Sequence, residues 1–387
     1  MTKQPDFQEW DPRSAEVLQD QIKAYDDLRG RCPMAHSEYM HWSLFRHDDV
    51  HRALLDPATF SSAVSTHVSV PNGMDPPVHT AYRQLIEPYF GDAPLAAFEP
   101  ACRRIAQELV ATLPVAGEVE WMGQFARDGV LRMLCAFMGW PEALHKPLRD
   151  WTRKNQAATL AGDRAAMAEV AFEFDGHIRA QLALRRAAGM QAGDDVTTRL
   201  LRETIEGRSL TDDEIVSIVR NWTVGELSTM AACVGILVHY LAERPVLQQQ
   251  MREQPQLVPA AIDEILRIHA PLIANRRVVR REVEIGGRKL MPGERVTLIW
   301  ASANRDESVF GDPDEFRLDR DPALNLLYGA GIHVCPGAPL ARMELRIAIE
   351  TVLARTRRIA LIQGKAPVRA KYPASGFSSI PLWVERS

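Results

Sequence analysis

Apolar positions recur every three to four residues along most of the chain, the spacing that gives a helix one buried stripe. This periodicity predicts helices over Ala15 to Arg29, Asp49 to Leu55, Pro77 to Tyr89, Leu95 to Leu113, Phe125 to Met138 and Arg164 to Ala187. Stretches rich in β-formers are few and short: His41 to Phe45, Val283 to Ile285, Arg295 to Trp300 and Ile380 to Val384, with turn residues around them. The pattern predicts a mainly α protein with small peripheral β-sheets, organised as one domain over residues 1–387 or as two tightly packed lobes.

The clearest helix starts at Thr211, where Thr211-Asp212-Asp213-Glu214 reads as a capping box, and runs until Pro245 stops it. At ~1.5 Å per residue it is roughly 50 Å long, enough to cross a domain of this size, so its middle is expected to be buried. That middle reads Val224-Gly225-Glu226-Leu227-Ser228-Thr229, with a helix-weakening glycine and three polar side chains where a plain core helix carries Leu and Ala. An interior glycine costs ~1 kcal/mol relative to Ala, which points to close approach by something flat.

Composition narrows the chemistry. With 46% hydrophobic and 25% charged residues in 387, the chain resembles an ordinary globular enzyme, and its formal charge of -4 gives no basic field for nucleic acid or anionic lipid. The stretch Met1 to Asp27 is polar and lacks the core of a signal peptide, and the best apolar run, Met230 to Ala242, is short and contains His239, so no membrane span is expected. Cys32, Cys102, Cys135, Cys233 and Cys335 are scattered and odd in number, which disfavours a disulfide framework or structural zinc and suits a reducing cytoplasm.

One segment concentrates candidate chemistry: Tyr328-Gly329-Ala330-Gly331-Ile332-His333-Val334-Cys335-Pro336-Gly337-Ala338-Pro339-Leu340-Ala341-Arg342. Pro336 suits the first position of a helix, which puts Cys335 at or near the N-cap, where the dipole favours a thiolate. A dinucleotide loop fails because position 334 is Val, a zinc site lacks a second ligand pair, and covalent haem attachment lacks Cys-x-x-Cys-His. A buried cysteine beside a turn is the remaining bland alternative.

This segment resembles the haem-binding signature of the cytochrome P450 family, Phe-Gly-x-Gly-x-His-x-Cys-x-Gly followed by Leu-Ala-Arg, with Tyr328 in place of the usual Phe. The resemblance implies that fold, a triangular prism with a long central helix over the haem, and it implies haem b with Cys335 as axial ligand and Tyr328, Gly329 and Gly337 shaping the ligand loop. It further implies that His79 and Arg83 hold one haem propionate and Arg276 with His333 the other, Arg277 being the adjacent competitor. Glu264-Ile265-Leu266-Arg267 looks like the family's structural Glu-x-x-Arg; its usual third partner slot holds Glu315, which leaves Arg317 or Arg320 to complete the lock.

The family's distal helix usually reads Ala/Gly-Gly-x-Asp/Glu-Thr. Here the resemblance puts Thr229 at the alcohol, Ser228 at the acid and Glu226 at the second Gly. Residues 226 and 229 share a helix face, so a displaced acid and alcohol relay built on Glu226 and Thr229 is expected. An apolar pocket is expected from Val224, Gly225, the loop Ala63 to Gly73, Leu272, Ile273, Ala274 and Phe377. The resemblance implies reductive splitting of O2 with one oxygen atom entering a small neutral or aromatic substrate. The wording Asn221-Trp222-Thr223-Val224-Gly225-Glu226-Leu227 is similar to haem domains of self-sufficient bacterial members with a fused flavin and iron–sulfur reductase. No iron–sulfur cysteine cluster is present in the chain, so electrons are expected from a separate ferredoxin with its reductase, or a flavin/iron–sulfur reductase, docking near Arg83, Arg342 or Arg346 of a cytoplasmic monomer. The rivals are a peroxide-driven peroxygenase and a haem-based gas or redox sensor, the latter disfavoured by the lack of a recognisable output segment.

Overall fold

The computed structural model describes residues 9–65, 67–191 and 193–387. Residues 1–8 of the polar N-terminus and Thr66 of the expected pocket loop lie outside them. The chain forms two compact units.

The first unit contains the segments up to His67, Asn72–His79 and Asp263–Cys335. Its frame is a five-stranded sheet in the order Met34–Ser37, His41–Leu44, Arg295–Ile299, Ala274–Val279, Phe60–Ser61. The pairing is antiparallel except between His41–Leu44 and Arg295–Ile299, which run parallel with Leu44 opposite Leu298. Leu44, Leu298, Val296, Val279 and Trp300 pack with Val50 and Leu54 of the helix His47–Leu55 to make the core. The strand Ala274–Val279 did not show in the sequence pattern because two arginines interrupt it; the strand expected to end at Trp300 stops at Ile299, and Trp300 opens a short helix to Ala303.

The second unit contains Val68–Pro71, Thr80–Ile262 and Pro336–Ser387. The helix Asp212–Ala242 runs through it, begun by the expected capping box: the Thr211 hydroxyl accepts from the Glu214 N–H, and Glu214 accepts from the Thr211 N–H. It is the one described helix long and apolar enough to cross a membrane, but 67% of its apolar window is buried inside the protein, the mark of a core helix. Against it pack Arg127–Met138, Arg164–Ala188 and Ala338–Arg355, with Asp92–Thr112 laid on the first and last of these, and a three-stranded antiparallel sheet orders Thr356–Leu361, Pro381–Arg386, Ala116–Glu120.

Local chemistry explains where helices stop. The helix expected over Ala15 to Arg29 is two, Ala15–Gln19 and Gln21–Arg31, because Asp20 turns extended and caps the second through the Lys23 N–H. The helix expected to reach Tyr89 ends at Ile86 and tightens to a 3-10 turn carrying Pro88. The helix after the cysteine loop spans Ala338–Arg355 with Gly337 as N-cap, so Cys335 lies two residues upstream of the cap rather than on it.

Candidate active site

The expected structural lock is present in the first unit. Arg267 Nε donates to Glu264 Oε2 at 2.8 Å and its Nη2 to Oε1 at 2.9 Å, while Nη1 donates to the Asn304 carbonyl at 2.7 Å. Arg320 supplies the third member, Nε to Glu264 Oε1 at 2.9 Å. Arg317 contributes only its backbone N–H, at 3.2 Å, and turns its side chain to Asp319.

The cysteine loop is shaped by two left-handed glycines. Gly329 has φ +77° and Gly331 +67°. A Cβ on Gly331 would lie 2.6 Å from the Leu54 carbonyl oxygen, and one on Gly329 would rest 3.4 Å from the Trp300 ring. Tyr328 takes part through its carbonyl, which accepts from the Cys335 N–H at 2.8 Å, and the Cys335 side chain is exposed. His333 stands in the short turn Gly331–His333, its ring 4.3 Å from that of the buried His79.

Strand alternation separates the two candidate arginines. Arg276 leans over the Tyr39 ring, 5.2 Å from its centroid. Arg277, opposite Val296, is 4% exposed; its Nη1 donates to the Arg276 carbonyl at 2.8 Å, and among the described residues no carboxylate lies within 4.0 Å of it. Burial pulls its pKa down to about 10 against the upward influence of Asp75, whose oxygens accept from Ser61 Oγ at 2.5 Å and the Ser62 N–H at 2.9 Å. A buried cation without a counter-ion is costly, so this position suits an anionic group.

In the second unit, Val224 is exposed and no atom lies within 4 Å of where a Gly225 side chain would begin, so the middle of the central helix has an open face. Thr229, one turn on from Gly225, is half-buried. Ser228 is exposed and donates to the Val224 carbonyl at 3.3 Å, which ties its hydroxyl to its own helix. Glu226 Oε1 is enclosed without a hydrogen-bond partner, and burial first, then Glu344, pushes the carboxyl well above the ordinary range. Arg83 Nε is held by Glu87 at 2.7 Å. Phe377 stacks on His239 at 4.3 Å, and of the remaining expected pocket residues Leu272 is exposed, Ala274 half-buried and Ile273 buried in its own unit.

The donor set fits a haem. A sulfur ligand on a glycine-shaped loop, two imidazoles in ring contact and an uncompensated buried guanidinium provide what iron and propionates require. Arg277 was legible as a neighbour of Arg276, but only strand facing shows which of the two is buried. Glu344 escaped the sequence reading altogether; a charged residue between Met343 and Leu345 in an apolar helix was the available signal.

Comparison with known proteins agrees with this geometry. The cytochrome P450 family model matches residues 144–370. The chain is 32% identical over 352 residues to cyclomarin C epoxidase from Salinispora arenicola, covering 86% of this chain and 88% of that protein. It is 31% identical over 348 residues to erythromycin C-12 hydroxylase from Saccharopolyspora erythraea, covering 86% of each. Among solved structures, the open form of the cytochrome P450 EryK from S. erythraea superimposes with a TM-score of 0.86 at 27% identity, over 95% of this chain and 96% of that one.

Proposed function

The chain belongs to the cytochrome P450 family, and on that premise we propose that it acts as one haem-thiolate monooxygenase domain, using O2 to hydroxylate or O-dealkylate a small, neutral, apolar substrate. Membership makes it an oxidoreductase of the monooxygenase class with haem b as its cofactor. When bound, the haem supplies reductive activation of O2 and transfer of one oxygen atom.

The observation that carries the site reading is the grouping in the first unit of Cys335 on its left-handed loop, the His79–His333 ring pair and the buried Arg277. In this reading Cys335 ligates iron, and His79, His333 and Arg277 bind propionate. Thr229 and Glu226 hold and pass protons from the central helix. Ser228 plays no part in that relay, because its hydroxyl is committed to the Val224 carbonyl.

The open, apolar face of the central helix at Val224 and Gly225 supports an apolar rather than an acidic substrate. Similar proteins oxidise different chemistries, linalool in Pseudomonas putida and erythromycin in S. erythraea among them. Electrons come from a separate ferredoxin-type or flavin/iron–sulfur donor. Arg342, exposed on the helix Ala338–Arg355, is the cation placed at its docking site. The test is turnover of terpenes and aromatic ethers with a surrogate ferredoxin system under heavy-isotope O2: one labelled oxygen per product is expected, and unlabelled product rejects the reading.

A further inference from the structure

On the central helix Asp212–Ala242, residues Ser217, Asn221, Val224, Gly225 and Ser228 recur at the spacing of one helix face. The loop Val68–Pro71 lies over the start of that face in the same unit. Ser217, fully enclosed, accepts from the Val70 N–H at 2.8 Å and donates to the Val68 carbonyl at 3.0 Å. One turn on, Asn221 Nδ2 donates to the Val70 carbonyl at 2.9 Å and to Ser69 Oγ at 3.3 Å. Beyond Asn221 the cover ends: Val224 and Ser228 are exposed, and no atom lies within 4 Å of where a Gly225 side chain would begin.

These bonds fix the Asn221 carboxamide. A backbone carbonyl only accepts, so the nitrogen faces Val70 and Oδ1 is turned away from it. Both Nδ2 hydrogens are committed to the loop, whereas no donor among the described residues reaches Oδ1, which stays open to solvent on this half-buried residue. The adjacent cation, Arg220, is matched by Asp175 at 3.1 Å and donates to the Val68 carbonyl at 3.4 Å, so charge is balanced beside it. A molecule laid along Val224 and Gly225 displaces water from Oδ1. An acceptor stripped of water costs free energy unless a donor on the molecule replaces it.

We propose that Asn221 is a specificity-determining residue, whose Oδ1 accepts a hydrogen bond from a hydroxyl on an otherwise apolar, neutral substrate. That hydroxyl stands about one helical turn, ~6 Å, from the part of the skeleton resting on Gly225. A carbonyl at the same position is disfavoured, since Asn221 has no N–H left to give it. The substrate class is a neutral alcohol or phenol rather than a hydrocarbon or a ketone. This deepens, and rests on, the reading of the open helix face as the seat of an apolar substrate.

The test measures dissociation constants on the haem-loaded protein by calorimetry and by the substrate-induced Soret shift. The probes are two matched trios: menthol, menthyl methyl ether and menthone; cuminyl alcohol, its methyl ether and cuminaldehyde. In the parent protein at least one alcohol is expected to bind about tenfold tighter than its ether and its carbonyl analogue. Asn221→Leu is expected to bring the alcohol down to the level of its ether. Ser217→Ala loosens the same loop but leaves Oδ1 in place, so it is expected to weaken each trio evenly and keep the alcohol preference. The parent comparison needs no variant, so the claim stays testable should Asn221→Leu fold poorly. Equal binding of alcohol, ether and carbonyl compound in the parent overturns the inference while the apolar-substrate reading stands. A preference that survives Asn221→Leu, or that Ser217→Ala abolishes as fully, also overturns it, the latter because Asn221 would then act only through the loop. If no member of either trio binds, the apolar-substrate reading fails and this inference falls with it.

Discussion

Arg320 Nε lies 2.9 Å from Glu264 Oε1, on the same oxygen that accepts from Arg267 Nη2. The carboxylate thus joins the helix Val258–His269 to the segment that leads to the cysteine loop, and it is satisfied from both sides. Arg267→Ala, which leaves Glu264 buried with one cation fewer and frees the Asn304 and Pro313 carbonyls, is expected to cost ~3–5 kcal/mol in denaturant unfolding. Arg320→Ala is expected to cost ~1–3 kcal/mol. Arg317→Ala, which removes only an exposed pair with Asp319, is expected to stay within ~0.5 kcal/mol.

Gly331 gives a sharper local test. Gly331→Ala meets both a left-handed backbone and the Leu54 carbonyl, so a loss of ~3 kcal/mol or more is expected, together with weaker haem retention. Gly207→Ala has a similar φ, +77°, with nothing within 4 Å of the new methyl. It is expected to cost ~1 kcal/mol from backbone strain alone. Equal losses in the two variants, read by thermal unfolding, would remove the steric part of the explanation.

The two arginines of the strand Ala274–Val279 are expected to separate cleanly. Arg277→Met takes away a buried cation that no carboxylate contacts directly, so the haem-free protein is expected to gain stability while haem affinity falls. Arg276→Met loses contact with Tyr39 and is expected to leave haem affinity nearly unchanged. Titration of the haem-free protein, with unfolding measured alongside, reads both effects.

Acid and alkaline stability are expected to move for opposite reasons. Glu214 is held down at about 2, chiefly by Arg208, against an ordinary 4.5. Its contribution is therefore present above pH 4.5 and lost as pH falls toward 2, and Glu214→Gln is expected to flatten that acid limb. Glu344 is raised by burial, so its contribution is fully present below 4.5 and lost as pH rises through its folded value. Glu344→Gln is expected to flatten the alkaline limb. Urea midpoints across pH measure both slopes.

Helix periodicity and capping chemistry made most of the helical frame readable, the Thr211–Glu214 box most clearly, because both signals are local. The cysteine loop was equally readable, since its glycines are demanded by φ and by a carbonyl that permits no Cβ. Other features depend on partners distant in the chain. The arginine-bearing strand Ala274–Val279 exists because Arg295–Ile299 and Phe60–Ser61 pair with it, and that Arg277 rather than Arg276 is the buried one follows from which face that pairing covers. Arg320 could be chosen over Arg317 only once the turn carrying both was laid against Glu264. Glu344 shows its character only when its enclosure, without any donor, is seen.

The most direct test of the central claim, that Cys335 is the axial thiolate, is the absorption spectrum of the reduced, carbon monoxide-bound protein. The parent protein is expected to show the red-shifted Soret band of a thiolate-ligated haem, and Cys335→Ser to lose it. Persistence of that band in Cys335→Ser would contradict the account.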